Sequence, residues 1–312
     1  MSKISGNIPR EIFVGGRTKG LTILKHLLAL RANIVHCFIL KEDVHEIEVV
    51  SPDIMNLCNN DQIPYTVCSS LKNHGELIRT LRPDLIIVAG WRTIIPQTIL
   101  NIPARGSIAF HESLLPRYRG FAPVNWAVIN GEEKTGVTLF YLDNGIDTGY
   151  SIGQETIRIG RDMTAWELYQ ETIRASVRLL ETFHGQIMNG TAPKRTQREH
   201  EATYTCARVP EDGHINWNSS IKTIYNLIRG LSYPYPGAYS YVKEQKIIIQ
   251  KAHIPPQRKY AGRVPGRVVA MKDTGVEILT GDGSLVVENV QLPGGDIQPA
   301  KNVITSIRTT LT

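Results

Sequence analysis

No apolar run in the 312-residue chain approaches the roughly 20 residues that a membrane-spanning helix needs; stretches such as Leu85 to Gly90 have the length of a strand. A membrane partner is therefore not expected. Met1 to Arg10 has Lys3, Pro9 and Arg10 but no apolar core of a secretory signal, so a cytoplasmic location is the expectation. Cysteine is sparse: Cys37, Cys58, Cys68 and Cys206 lie far apart without CxxC or CxH spacing. That argues against a zinc site and a disulfide framework, and no metal is expected. Internal repeats and low-complexity tracts are absent too, which sets aside solenoids and disordered tails. What is present is the balance of a globular protein, with 42% hydrophobic and 21% charged residues, and a length that suits two domains. A net charge of +6 admits nucleic acid, nucleotide phosphates or a polyglutamylated cofactor as partners and does not choose among them.

The first half alternates strand and helix patterns. Ile12-Phe13-Val14 reads as a strand, Leu21 to Leu30 as a helix, Ile34 to Leu40 and Tyr65-Thr66-Val67 as strands, Gly75 to Leu81 as a helix, and Asp84 to Ala89 and Ser107 to His111 as buried strands. This order predicts an α/β domain around a Rossmann-like, mostly parallel sheet with ligands at the carboxyl ends of its strands, where Gly15-Gly16, Gly90-Trp91 and His111 lie. Gly15, Gly16 and Gly20 do not fit GxGxxG, and no acidic residue is well placed after the second strand, so a nicotinamide site is rejected and a tight strand-to-helix turn preferred. Helical spacing from Met163 to Gly185, with Thr164 as N-cap, closes a first domain over residues 1–188. The polar stretch 189–211 reads as a linker. Beyond it, a short helix near Ser219 to Leu231 and five β-rich runs between Ala238 and Gln291 predict a small barrel of the oligonucleotide-binding kind over residues 212–312.

The stretch that carries chemistry is His111 to Gly120, with SLLPRYRG inside it, followed by APVNWAVINGE, TGVTL and GIDTG. This ordered set resembles the formyltransferase family that uses 10-formyltetrahydrofolate. Asn216-Trp217, Ile224 to Arg229 and Pro234 to Ala238 extend the resemblance into the C-terminal region, toward methionyl-tRNA formyltransferases and the domain that formylates UDP-4-amino-4-deoxyarabinose. Formyl transfer needs an unprotonated amine, a stabilised oxyanion and a proton for the departing nitrogen. The resemblance assigns the first tasks to His111, with Asp147 holding its imidazole in the working tautomer; the bland alternative is a hydrogen-bonded strand-end histidine and a turn aspartate. Where the family has Asn, this chain has Ala109. Loss of such a donor costs about 100- to 1000-fold in turnover, so three readings stay open: an inactivated variant, a natural enzyme with another donor, or a non-catalytic folate-binding relative.

The resemblance also implies a pterin pocket from Gly90, Trp91, Thr93, Ile94 and Ile95 on one loop, Asp143, Asn144, Gly145 and Ile146 on another, and Leu115 beside them; Trp91 as a plain cap on the sheet is the alternative. Arg117, Tyr118, Arg119 and Phe121 are assigned to the acceptor, with a structural ion pair as the other role for Arg119. Phe121 stands where the arabinose-specific domain has Arg, and Lys41 to Glu48 is acidic where tRNA-specific members carry a basic insertion. The expected acceptor is thus a nucleotide-linked amino sugar, with methionyl-tRNA as the rival, nucleic acid disfavoured, and a hydroxyornithine-type amine left open. Tyr225, Tyr233 and Tyr235 read as core packing at an interdomain turn rather than base-stacking platforms. A homodimer through the C-terminal domain follows from the resemblance alone.

Overall fold

The computed structural model describes residues 8–43 and 49–312. The first part contains β1 (Glu11–Gly15), α1 (Arg17–Ala29), β2 (Ile34–Leu40), α2 (Ser51–Asn60), β3 (Tyr65–Cys68), α3 (Gly75–Leu81), β4 (Leu85–Ala89), α4 (Gln97–Leu100) and β5 (Ser107–His111). There follow β6 (Arg119–Gly120), α5 (Pro123–Ile129), β7 (Lys134–Tyr141), β8 (Ser151–Arg158), α6 (Ala165–Met188) and β9 (Tyr204–Thr205). The C-terminal part holds α7 (Ile221–Leu231), β10 (Ala238–Val242), β11 (Gln245–His253), β12 (Val268–Lys272), β13 (Gly275–Leu279), β14 (Ser284–Gln291) and β15 (Ile297–Pro299).

Seven strands form one sheet in the order β3-β2-β1-β4-β5-β7-β8. The first five run parallel, and β5 meets β7 antiparallel, with Ala109 opposite Phe140 and His111 opposite Thr138. β1 and β4 are buried along their whole length, which explains their continuous apolar runs in place of alternation. The expected strands and helices of this half are all found. α2 and α5 were missed because each begins at or next to a proline within a polar or motif-rich stretch, where periodicity is faint.

Five C-terminal strands lie in the order β10-β11-β14-β13-β12, with β15 added on β14. All pairings are antiparallel. Val242 bridges Leu311 and Arg267 bridges Thr310, so the segment ending at Thr312 joins the β10 edge to the chain just before β12. The β-rich barrel-like domain expected from the sequence is thus present, with β15 as an unforeseen strand. Its core gathers Trp217, Ile224, Ile228, Ile247, Ile249, Val276, Ile278, Leu285 and Val287.

The chain divides into two compact units that are not consecutive stretches. One comprises the described residues up to 120, with 136–157 and 171–204; the other comprises 121–135, 158–170 and 205–312. α6 starts in a capping box, with Thr164 Oγ1 accepting from Glu167 N at 3.2 Å and Glu167 Oε2 accepting from Thr164 N at 2.8 Å, which fixes the N-cap named from the sequence.

Gly90, directly after β4, sits at φ +67°, and a Cβ there would lie 2.2 Å from the Gly16 carbonyl oxygen. Both the left-handed backbone and the contact demand glycine. Gly90→Ala should cost at least about 2 kcal/mol. Denaturant unfolding of the variant would check this, and an unchanged midpoint would contradict the close approach of the two loops.

Candidate active site

β5 delivers Ala109 and His111 to the same side of the sheet, because side chains two apart on a strand share a face. His111 is the last residue of β5 and is 6% exposed. Its Nε2 lies 2.7 Å from the Tyr118 carbonyl oxygen, and its Nδ1 lies 3.4 Å from Asp147 Oδ2. The same Asp147 oxygen accepts from Gly120 N at 2.8 Å. Two residues on either side of Arg119 therefore hold both polar side chains through the main chain. Histidine and aspartate, 36 positions apart in sequence, are brought together as the resemblance implied.

Both ring nitrogens of His111 face oxygen acceptors. A neutral imidazole has one N–H and satisfies one of them; only an imidazolium satisfies both. For a tautomer with Nδ1–H toward Asp147, Nε2 must turn from the Tyr118 carbonyl before it accepts a proton. No local pattern of residues signals this carbonyl.

Arg119 is fully buried. Its Nε and Nη2 donate to Gln197 Oε1 at 3.2 and 2.9 Å, and Nη1 donates to Glu199 Oε1 at 3.0 Å and to Tyr204 Oη at 2.8 Å. Burial works against the charge, but Tyr204 and Glu199 outweigh it and raise the guanidinium pKa above its ordinary value. Of the two roles weighed for Arg119, the ion pair with an acid is the one the geometry displays; a guanidinium committed in this way is not presented to an acceptor. Gln197 goes further, since its Nε2 donates to the main-chain oxygens of Asp147 and Gly149, both at 2.8 Å. Thr203 O accepts from Arg119 N, and Thr203 Oγ1 accepts from Tyr118 N. The stretch 189–211, expected as a linker, thus supplies structural partners to the candidate site.

The Ser113–Pro116 turn is pinned from β7 and β8. Thr138 Oγ1 donates to Ser113 O at 2.7 Å and accepts from Leu115 N at 3.0 Å, while Gln154 Nε2 donates to Leu115 O at 2.7 Å. Leu115 is 5% exposed and packs in the apolar core of the first unit together with Ala109, Val88, Ile95 and Phe140. Ala109 presents only a methyl group there.

On the loop after β4, Ile95 is buried while Ile94 is 84% exposed. Thr93 Oγ1 donates to Ser69 O at 3.1 Å, which ties the loop back. Trp91 packs on the same core, and its indole N–H is buried without a partner among the described residues. On the second loop, Asp143 Oδ1 accepts from Gly145 N and from Thr148 Oγ1, leaving Asn144, Gly145 and Ile146 exposed. Arg117 and Phe121 are exposed and Tyr118 is half-buried at φ +60°. Phe121 belongs to the second unit. In that unit a cavity of about 710 Å3 is lined by Arg161, Asp162, Tyr225, Arg229, Lys251 and His253 among others, and no candidate site residue lines it. Val44 to Glu48, the larger part of the acidic segment, lie outside the described residues.

Sequence reasoning missed one ion pair. Lys19, 1% exposed on α1, donates to Glu112 Oε1 at 2.6 Å and to the Phe110 carbonyl oxygen at 3.1 Å. It grips the chain on either side of His111. A lysine inside the glycine-rich Gly15–Gly20 turn, followed by an apolar helix, was the available signal. For Glu112, burial works upward as the largest single effect; the charge on Lys19, then that on His111 and the hydrogen bond from Lys19, together outweigh it and leave its pKa below the ordinary value.

The fold and these residues define an α/β domain with a histidine–carboxylate pair at the carboxyl end of β5. Residues 55–182 match the family described as formyl transferase, and residues 208–308 match its C-terminal domain. Methionyl-tRNA formyltransferase of Alkaliphilus metalliredigens (strain QYMF) is 38% identical over 219 residues, which cover 70% of this chain and 69% of that protein. The chain belongs to the formyltransferase family. Among solved structures, an N-formyltransferase from Helicobacter canadensis, in complex with folinic acid and dTDP-3-aminofucose, matches at a TM-score of 0.67 and 19% identity over 89% of this chain and 98% of that one. HypX from Aquifex aeolicus in complex with tetrahydrofolic acid matches at 0.63 and 19% identity over 96% of this chain and 48% of that one, so the chain spans about half the length of HypX. At such identities both likenesses speak for the fold alone.

The ion pair gives a pH prediction. A carboxylate held below its unfolded pKa of about 4.3 adds stability above that value, and the contribution is lost as pH falls through the folded value. Glu112→Gln should therefore lower the thermal midpoint near neutrality, with the gap to the parent closing toward acid. Lys19→Met, which strands the carboxylate, should cost about 3 kcal/mol. A gap that stays constant across roughly pH 3 to 7 would refute the assignment.

Proposed function

We propose that this chain is an N-formyltransferase that moves the formyl group of 10-formyltetrahydrofolate to the amine of a nucleotide-linked amino sugar. The observation that carries the reaction is the His111–Asp147 pair at the end of β5, 3.4 Å apart and framed by the main chain of Tyr118 and Gly120. In the transfer, the amine nitrogen bonds to the formyl carbon, the bond from that carbon to the folate nitrogen breaks, and the proton lost by the amine replaces the formyl group on the folate. His111 receives that proton after Nε2 leaves the Tyr118 carbonyl, and Asp147 stabilises the imidazolium that results.

The residues of the two loops fit a flat heteroaromatic folate ring. Ile94 and Ile146 offer exposed apolar surface, and Gly90 lets the first loop lie against the Gly16 main chain at the end of β4. Ala109 offers no donor to the formyl oxygen. With the rest of the site assembled, a formyl transferase of reduced turnover is favoured over a non-catalytic folate-binding relative.

For the acceptor, Phe121 supports a sugar nucleotide, since it is 55% exposed and offers an aromatic face to a sugar or base. The negative charge of Lys41 to Glu48 disfavours a polyanionic RNA. The second reading, methionyl-tRNA, is favoured by the 38% identity to the Alkaliphilus enzyme.

The test runs the parent and Ala109→Asn side by side, with 10-formyltetrahydrofolate and either a panel of nucleotide-linked amino sugars or initiator methionyl-tRNA. Turnover on one amino sugar, raised about 100-fold or more by the substitution, is the expected result. Formylation of the tRNA with salt-sensitive affinity would select the second reading, and folate binding without product in both proteins would remove the enzyme.

A further inference from the structure

Asp147 occupies the left-handed region at φ +55°, a conformation that asparagine and aspartate tolerate but that the surroundings must enforce. One side chain braces its main chain. The amide nitrogen of Gln197 donates to Asp147 O and Gly149 O, both at 2.8 Å, bracketing Thr148 from either end. Its amide oxygen receives two bonds from the Arg119 guanidinium. Gln197 is therefore saturated, with both ends tied to different loops: one loop carries Asp147, and the other, through Tyr118 O and Gly120 N, contacts His111 and the Asp147 carboxylate. Arg119 in turn is buried and closed by Glu199 and Tyr204, so the brace has no slack on that side.

We infer that Gln197 is a positioning residue that sets the separation and orientation of His111 and Asp147. This rests on the formyl-transfer reading for its kinetic consequence. Its geometric content stands apart. The amide is suited to the task because it donates and accepts on one planar group: a carboxylate in its place keeps the acceptor for Arg119 but sets an oxygen against two carbonyl oxygens. The expected effect falls on turnover, since a misplacement of about 1 Å in a reacting constellation costs about 100-fold. The Gln197 amide is committed to protein partners at both ends, so KM should stay near the parent value.

The experiment compares the parent, Gln197→Glu, Gln197→Met and the conservative Gln197→Asn in two measurements. Long-range 1H–15N spectra of the histidine rings, assigned with a His111→Gln reference, report the tautomer and protonation of His111 without any turnover. Steady-state kinetics on the accepted amine then separate kcat from KM. Support is a His111 signal that changes in Gln197→Glu and Gln197→Met, with kcat lowered about 10- to 100-fold at near-constant KM and a shifted pH profile. Lower thermal stability in these variants with parental His111 signals and parental kcat per folded molecule would overturn the inference and leave Gln197 a purely structural residue. If neither the parent nor Ala109→Asn formylates an amine, the formyl-transfer reading fails; the ring spectra still decide the geometry.

Discussion

The site depends on the main chain on either side of one buried guanidinium. Arg119 is removed from water and must keep hydrogen-bonded partners, because an uncompensated buried charge is severely penalised. Once Gln197, Glu199 and Tyr204 enclose it, Tyr118 and Gly120 have little freedom, and those two residues contact His111 and Asp147. The basic cluster RYRG, which on composition alone is a solvated face, is at its second arginine an internal keystone.

Much of the fold was legible because central parallel strands such as β1 and β4 are buried on both faces and announce themselves as unbroken apolar runs. Ser107 to His111 and Gly75 to Leu81 fall at the same residues in sequence and structure. The His111–Asp147 pair was legible only through the ordered motifs, since periodicity says nothing about residues 36 positions apart meeting in space. What stayed hidden is long-range polar pairing. Lys19 with Glu112, Gln197 with Arg119 and Asp147, and Thr138 with the Ser113–Leu115 turn all join residues from separate segments. Nothing local in a glutamine among polar neighbours distinguishes a brace from a linker.

The two compact units raise the same point at larger scale. Hydrophobic pattern predicts consecutive blocks, yet α5 and the start of α6 group with the C-terminal strands. α5 contacts α7 within that unit, and Asn125 donates to the Gly230 carbonyl oxygen at 2.8 Å. An amphipathic helix records that one face is covered. It does not record by what.

The pairing of Thr310–Thr312 with the β10 edge and the chain before β12 has a consequence for how this protein behaves at high concentration. An antiparallel sheet with open margins offers rows of main-chain donors and acceptors to any passing strand. Here a few residues occupy main-chain groups at both margins, so a change that disturbs them would open those groups to strands of other molecules.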